Sequence, residues 1–290
     1  EYAYYLVSEA RQKCANHIFK LGGNVYAFDS TTIDLCLSVF WWAKFRKKKG
    51  GIKVHTLYDV ETQIPAFFHI TEASVHDSKV MIEIPYEPSS YYIFDRGYNN
   101  FKILYKIHQI EAYFVVRAKK NLGYKSIQWK RRLPKNVLSD ASVFLTGFYP
   151  KQYYPEPLRL VKYWDEEQER EFTFITNAMH ISALQVAELY KNRWQVELFF
   201  KWLKQHLKIK RFWGTTENAV RIQIYAAICA YCLVAIIQHD MQLNRSTYEV
   251  LQILSISLTD KTHLRDLFDK TKFQNDKERF GPNGPSLFNF

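Results

Sequence analysis

Apolar and polar positions follow two different periods along this chain, and the changes between them predict its elements. Runs rich in β-branched and aromatic residues predict five strands, with the sequences NVYAFD, IKVHTLYDV, QIPAFFHIT, YYIFD and EAYFVVRA. Helical spacing predicts helices in YAYYLVSEARQKC, over residues 74–84 and in FKILYKIHQI. This order predicts an α/β fold in which helices pack on a mixed sheet.

Between residues 119 and 177 the pattern changes to hairpins, of which the clearest is LRLVKYW and REFTFIT around a polar turn. We predict a β insertion here that contacts DNA or a partner protomer rather than completing the sheet of the first five strands. We expect missing sequence before Glu1, because the chain begins inside a helical pattern. The predicted regions are 1–23, the end of a missing N-terminal region; 24–118, the first part of the core; 119–177, the insertion; 178–240, the second part of the core; and 241–290, C-terminal helices and a tail.

A long helix, predicted from about Ser182, carries the most informative face. At about 100° per residue, four of its side chains share one side: Tyr190, Arg193, Glu197 and Lys204. Lys201 and Lys208 extend that side, and an apolar stripe lies away from it: Leu189, Val196, Phe199, Leu203 and Leu207. A solvated face of ion pairs is the plain interpretation, but residues 190–213 hold seven cations and one acid. A cationic face around one carboxylate suits a polyanion whose phosphates meet a metal held by that acid.

Two aspartates end predicted strands, Asp29 the first and Asp95 the fourth. If those strands lie side by side, the two carboxylates meet near the strand ends, and the long helix packed on the sheet can bring Glu197 to them. Carboxylate oxygens are the ligands that Mg²⁺ and Mn²⁺ prefer. Two such ions can activate the attacking oxygen and stabilise the leaving oxygen of a phosphodiester.

Composition and charge narrow the class of partner. Hydrophobic residues make up 47% of the 290 residues, which argues against disorder, and the net charge of +11 favours an anionic partner. Nucleic acid is favoured over a membrane surface, because aromatic residues are spread through the chain and no basic amphipathic helix stands alone. The apolar run over 222–237 is predicted as a core helix, and its Cys229 and Cys232 as buried thiols.

The four helix residues match the pattern Y-x2-R-x3-E-x6-K, and the acids lie in YAFDSTT and YYIFDRGY. Together these motifs resemble the DDE transposases of bacterial insertion sequences, specifically the insertion-sequence family numbered four. The resemblance spans residues 26–239 and includes all three acids of the family motif.

That resemblance implies a ribonuclease H-like core interrupted by a β insertion and followed by C-terminal helices. It implies that Asp29, Asp95 and Glu197 are catalytic and bind two Mg²⁺ (or Mn²⁺) ions. Tyr190, Arg193, Lys201 and Lys204 would bind DNA. The implied reaction is cleavage of double-stranded DNA at the element ends and strand transfer into target DNA. We expect a homodimer on DNA, no membrane association, and a cytoplasmic, nucleoid-associated location in a bacterium.

Three other functions stay open at this point. A structure-specific nuclease on the same core would cut DNA without joining it, although the cations around Glu197 resemble those that bind transposon ends. A non-catalytic DNA-binding protein derived from a transposase would not need all three acids. A glycoside hydrolase using two carboxylates explains neither the charge nor the basic helix.

Several other residues have two interpretations each. His76 and Asp77 form either a helix cap with a surface histidine or, with His55, a group that supports the metal ligands. The basic run 46–49 is either a solvated loop or a contact to the DNA backbone. Base stacking is conceivable for three tryptophans, but core packing is the default prediction: Trp129, Trp164 and Trp194.

Overall fold

The structure is a computed structural model that describes residues 1–15, 19–46, 49–206, 212–245, 247–257 and 261–270. Its strands are β1 Val25–Leu35, β2 Lys44–Arg46, β3 Lys49–Asp59, β4 Ile64–Glu72, β5 Tyr91–Phe94, β6 Tyr113–Arg117, β7 Tyr124–Trp129, β8 Val137–Leu145, β9 Leu158–Asp165 and β10 Arg170–Thr176. Its helices are α1 Tyr2–Lys13, α2 Asp77–Val80, α3 Phe101–Gln109, α4 Phe148–Tyr153, α5 Ala183–Lys191, α6 Trp194–His206, α7 Glu217–Asp240, α8 Thr247–Ser257 and α9 Leu264–Lys270. Some predicted features lie outside the described residues: Lys47, Lys48, Leu207, Lys208 and the tail after residue 270.

Within the described residues, ten strands form one mixed sheet in the order β2-β3-β1-β5-β6-β10-β9-β8-β7, and β4 also pairs with β3. Strand β1 runs antiparallel to β3 and parallel to β5, and β5 is parallel to β6. The first and fourth predicted strands, β1 and β5, therefore lie side by side, as predicted. This mixed sheet with flanking helices confirms the predicted ribonuclease H-like α/β class.

The first strand is longer than its sequence pattern predicts. We expected it to end at Asp29, but β1 continues to Leu35 and pairs with β3 along that whole length, from Tyr26 opposite Asp59 to Leu35 opposite Gly50. The apolar and polar order after Asp29 is irregular because β1 is covered on both faces near its start and only partly beyond it. Asp29 thus lies inside a strand that continues past the end of its parallel neighbour.

The β insertion extends the sheet. Strand β10 pairs antiparallel with β6, and β9, β8 and β7 follow outward in turn. None of these strands pairs with β1, whose neighbours in the described residues are β3 and β5. The strands between residues 124 and 176 therefore join β1, β3 and β5 through β6, and they continue the sheet of the first five strands, contrary to our prediction.

Helices cover both faces of the sheet around β1 and β5. On one face, Ile103, Leu104 and Ile107 of α3 are buried in a cluster with Phe28 and Phe94. On the other face, α6 buries the predicted apolar stripe as far as it is described, namely Val196, Phe199 and Leu203, with Leu189 of α5. Phe199 packs on Tyr58 of β3 with ring centroids 5.4 Å apart, and on Tyr231 of α7 at 5.0 Å.

The long helix that we predicted from Ser182 is two helices. Helix α5 begins with a capping box formed by Ser182 and Gln185, and it ends at Lys191; α6 begins at Trp194. At the break, Arg193 N donates to Tyr190 O at 3.0 Å, a bond that spans three residues instead of four. A single helical wheel therefore does not describe residues 183–206.

The chain divides into two compact units, Glu1–Cys232 and Leu233–Phe290. The second unit has its own small apolar cluster of Val234, Val250, Ile253 and Phe268. Helix α7 is long and apolar enough to cross a membrane by length and composition alone, a test that core helices also pass. Val220, Ile224, Ile228 and Cys232 of this helix are buried, whereas Cys229, which we also predicted as a buried thiol, is only partly buried.

Candidate active site

The two aspartates predicted from strand ends occupy neighbouring positions in the sheet. The last matched pair of the parallel strands β1 and β5 is Phe28 opposite Phe94. Asp29 and Asp95 each follow that pair directly in sequence. Because side chains alternate along a strand, both carboxylates leave the sheet on the side opposite the buried phenylalanines.

The Arg193 side chain joins two of the predicted acids. Its Nη1 donates to Asp29 Oδ2 at 2.8 Å, and its Nη2 donates to Glu197 Oε1 at 2.5 Å. Arg193 lies at the break between α5 and α6, and the guanidinium is 18% exposed. Its Nε is buried without a hydrogen-bond partner among the described residues. The guanidinium therefore stands between the carboxylates that were predicted to share metal ions.

Tyr190 holds the third acid. Its hydroxyl donates to Asp95 Oδ1 at 3.1 Å, and burial raises the pKa of this tyrosine to about 12. The phenol therefore keeps its proton at neutral pH and acts as a donor. The structure thus connects Asp29 with Glu197 through Arg193, and Asp95 with Tyr190.

Burial is the main reason that the pKa of Asp29 is raised to about 6. Arg193 and the Ser30 N–H oppose the shift, while the negative charges of Glu197 and Asp95 add to it. The charges of the other two acids thus both act on the Asp29 carboxyl group. The site holds more negative charge than its cation neutralises, and clusters of this kind are typical of functional sites.

The donor set fits a divalent metal, although the side chains would have to exchange partners. Among the described residues, no group of three or more His, Cys, Asp or Glu side chains is placed to hold a metal ion as it stands. The reason is visible at Asp29 and Glu197, whose facing oxygens both bind Arg193. The three carboxylates supply hard oxygen ligands, as Mg²⁺ and Mn²⁺ require. A divalent cation between them would also relieve the repulsion between their negative charges. The chemistry of Asp29, Asp95 and Glu197 thus suits the metal binding that the sequence predicts for them.

The other predicted DNA-binding residues lie further along α6. Lys201 is exposed and Lys204 is half-buried. The three tryptophans are not core residues, contrary to the default prediction, because each is between 40% and 60% exposed. They lie on β7, β9 and the first turn of α6, respectively: Trp129, Trp164 and Trp194.

Sequence reasoning missed Tyr98, which lies next to Asp29. The Tyr98 hydroxyl donates to Asp29 Oδ1 at 3.4 Å, and the Ser30 N–H donates to the same oxygen at 2.8 Å. Tyr98 belongs to a 3-10 turn, Arg96–Tyr98, that starts directly after Asp95. The signal that could have found it is this short distance in sequence from the second acid.

Of the histidines, His76 is the helix cap that one interpretation predicts. Its Nδ1 accepts the Ser78 N–H at 3.3 Å, and the side chain is exposed. His55 is fully buried on β3, and burial lowers its pKa to about 4, so the ring is neutral at pH 7. Asp77 has a different environment from His76, because it accepts hydrogen bonds from Ser30 and Lys53. Against the effect of burial, these bonds lower the pKa of Asp77.

Comparison with known proteins assigns the family. The sequence profile described as the transposase DDE domain matches residues 20–233. A protein of Sinorhizobium fredii named as transposase y4zB is 37% identical over 246 residues, which cover 82% of this chain and 67% of the relative. A protein of Geobacillus stearothermophilus, named as a transposase for insertion sequence element IS5377, is 31% identical over 71% of this chain and 54% of the relative. One from Synechocystis, named for element IS4SA, is 25% identical over 82% of this chain and 67% of the relative.

The chain belongs to the transposase DDE domain family. It is a transposase domain of the insertion-sequence type, an enzyme class that cleaves and joins DNA strands, and such enzymes use divalent metal ions. The chain spans between about half and two thirds of the length of these relatives.

Proposed function

We propose that this chain cleaves DNA at the ends of an insertion sequence and transfers the ends into target DNA, with Asp29, Asp95 and Glu197 as the catalytic and metal-binding residues. The observation that carries the proposal is the adjacency of Asp29 and Asp95, which directly follow the last parallel pair of β1 and β5, with Glu197 connected to Asp29 through the Arg193 guanidinium. The neighbouring Tyr190, Arg193, Lys201 and Lys204 bind the DNA. We place the element in the insertion-sequence family numbered four on the spacing of its helix motif.

The metal supplies the Lewis acidity that activates the attacking oxygen and stabilises the leaving one; we propose two Mg²⁺ or Mn²⁺ ions. The protein's contribution is to bring three carboxylates together and to reduce the repulsion between their negative charges. Arg193 pairs with both Asp29 and Glu197 and reduces the repulsion between them. With those oxygens engaged by a metal, the Arg193 guanidinium would be free to hold a phosphate with two parallel hydrogen bonds.

Tyr190 keeps Asp95 oriented by donating its phenolic proton. That hydroxyl does not need to leave, because a carboxylate has enough lone pairs to accept it and to bind a cation. No covalent protein intermediate is required, since water as the nucleophile gives nicking and a DNA 3′-hydroxyl gives strand transfer. We propose that the enzyme works as a homodimer on double-stranded DNA in the cytoplasm, in association with the nucleoid.

The test incubates the protein with labelled element ends and Mg²⁺ and separates nicked from joined products. We expect both products, and we expect Asp29→Asn, Asp95→Asn and Glu197→Gln each to lower cleavage at least about a thousandfold, because several kcal/mol of charge stabilisation are lost. Binding to the same DNA should persist in all three variants. Asp165→Asn, in a hairpin turn of the insertion, is the matched control and should cut normally.

The products distinguish the rival functions. Nicked DNA without joined DNA would favour a structure-specific nuclease. Binding without any cleavage, in the full-length protein with Mg²⁺ or Mn²⁺, would favour a non-catalytic DNA-binding protein. Wild-type cleavage by any one of the three variants would remove that residue from the site.

A further inference from the structure

A second group of charged residues lies behind Asp29, on the other face of strand β1. Asp77 Oδ1 accepts the Ser30 hydroxyl at 2.8 Å and pairs with Lys53 Nζ at 3.1 Å. The Lys53 ammonium also donates to Val75 O at 2.8 Å, and its side chain is only 13% exposed. A nearly buried ammonium needs such partners, because an unpaired buried charge is costly.

The sheet register brings this group together from three elements. Lys53 of β3 pairs with Thr32 of β1, and Ser30 pairs with His55. Ser30, Lys53 and His55 therefore project from the same face, and Asp77, at the start of α2, lies over them. His55 Nδ1 is 3.8 Å from the same Asp77 oxygen, and its Nε2 is bonded to Thr71 at 2.9 Å.

Ser30 connects this group with the catalytic carboxylate. Its backbone N–H donates to Asp29 Oδ1 at 2.8 Å, while its side chain donates to Asp77. One residue is thus held from both faces of the strand. Since β5 ends at Phe94, no parallel neighbour restrains β1 at this point. Arg193 holds Asp29 Oδ2, and of the two contacts to Oδ1 the Ser30 N–H at 2.8 Å is shorter than the Tyr98 hydroxyl at 3.4 Å.

We propose that Asp77, held by Lys53, is a positioning residue for the active site: through Ser30 it fixes the carboxylate of Asp29 in the direction from which that group binds metal. The inference rests on the proposed role of Asp29 as a metal ligand. Asp77 touches neither the metal nor the DNA in this account. Partners that orient a metal ligand typically change metal affinity or activity by about 10-fold to 100-fold when removed.

The experiment measures Mn²⁺ binding to the full chain by calorimetry, together with thermal unfolding in EDTA and cleavage kinetics. We expect Asp77→Asn and Ser30→Ala each to weaken Mn²⁺ binding about 10-fold or more. The double variant Ser30→Ala with Asp77→Asn should be no weaker than the worse single variant, because both act through one hydrogen bond. Ser30→Thr, which keeps the hydroxyl and suits a strand, should recover the affinity.

The controls separate positioning from general stability. Asp165→Asn removes a carboxylate that accepts the backbone N–H groups of Glu167 and Gln168, far along the sheet in the β9–β10 turn, and it should leave Mn²⁺ affinity unchanged. In cleavage assays the Asp77→Asn loss should be recovered in part by raising Mn²⁺, while the KM for DNA stays the same. If Asp77→Asn does not fold, the comparison of Ser30→Ala with Ser30→Thr decides the question.

The outcomes also separate this inference from the proposed function. Wild-type Mn²⁺ affinity in Asp77→Asn and Ser30→Ala, with lost affinity in Asp29→Asn, would overturn the positioning role alone. Wild-type Mn²⁺ affinity in Asp29→Asn would overturn the metal site itself. Additive losses in the double variant would show that Ser30 and Asp77 act independently and would overturn the proposed path.

Discussion

Two arginine–carboxylate pairs on the same sheet have opposite electrostatic character. In the insertion, Arg159 binds both oxygens of Asp140 at 2.8 Å and donates to the carbonyls of Ala178 and Ile181 at 3.2 and 2.6 Å. Against the effect of burial, the hydrogen bonds from Arg159 and Lys130 lower the pKa of Asp140. All three guanidinium nitrogens of Arg159 and both carboxylate oxygens of Asp140 therefore have hydrogen-bond partners.

The arginine–carboxylate pair at Asp29 lacks such a complete set of partners. Arg193 is shared between Asp29 and Glu197, and its Nε has no partner among the described residues. The pKa of Asp29 is raised, chiefly by burial, whereas that of Asp140 is lowered. The same two chemical groups thus stabilise the fold in one region and store electrostatic strain in the other, where another cation can relieve it.

The largest expected effect is on the pair of Arg159 and Asp140. Asp140→Asn leaves the Arg159 guanidinium buried without its countercharge, and this should lower the free energy of unfolding of the chain by about 3–5 kcal/mol. Urea unfolding followed by circular dichroism measures the change. A loss below about 1 kcal/mol would show that the pair is not desolvated and would remove the contrast with the active site.

The next effect concerns Asp29 and is visible as a pH dependence. Because its pKa in the folded chain is raised to about 6, above its unfolded value near 3.8, the folded state holds this proton more tightly. Its contribution to stability is present below about pH 4 and is lost as the pH rises through about 6, a decline of up to about 3 kcal/mol. Asp29→Asn should therefore gain stability relative to wild type as the pH rises over that range.

Melting temperatures in EDTA between about pH 4 and about pH 8 measure this difference. The gap between Asp29→Asn and wild type should widen with pH and then stay constant above about pH 7. A constant gap over the whole range would mean that Asp29 has an ordinary pKa in the folded chain. Saturating Mn²⁺ should reverse the sign of the gap, since only wild type gains the metal's binding energy.

The smallest effect tests when Arg193 is free to bind DNA. In EDTA its guanidinium is held by Asp29 and Glu197, so Arg193→Ala should leave the salt dependence of DNA binding unchanged. With Ca²⁺ in the site, the same variant should lower the slope of log affinity against log salt by about 0.9, the value for one phosphate contact. The exposed Lys201 provides the matched comparison, because Lys201→Ala should lower the slope in both conditions.

Equal slopes for Arg193→Ala and wild type in Ca²⁺ would mean that the arginine never leaves the carboxylates. A reduced slope already in EDTA would mean that it contacts phosphate without leaving them. Either result would remove the exchange of partners that distinguishes Arg193 from Arg159.

The sequence was most informative where local pattern and topology agree. The runs before Asp29 and Asp95 are compact and apolar, and the hypothesis that their strands lie side by side in one mixed sheet is confirmed. The break before Arg193 was not predictable from local signals, because residues 191–194 contain neither proline nor glycine. It accompanies long-range contacts of Tyr190 with Asp95 and of Arg193 with Asp29, which no single-helix pattern contains.

The group formed by Ser30, Lys53 and Asp77 could not be predicted from the sequence for a related reason. Asp77 was recognised only as half of a His-Asp pair, and Lys53 was not singled out. Their meeting with Ser30 depends on the exact register of β1 against β3. A shift of one residue would turn Ser30 to the opposite face, so sequence spacing alone cannot predict such contacts.

The way the insertion joins the sheet has a consequence for how such enzymes can change during evolution. The insertion begins after Arg117, the last residue of β6, and the chain returns beside it at Phe174 of β10, where the two residues are paired neighbours. The segment between them therefore begins and ends at neighbouring positions of the sheet. An inserted segment of this kind can be longer, shorter or replaced by another at small entropic cost, because that cost grows only slowly with loop length. The hairpins of the insertion can therefore differ between related transposases and provide new contacts, while the positions of the three acids stay the same.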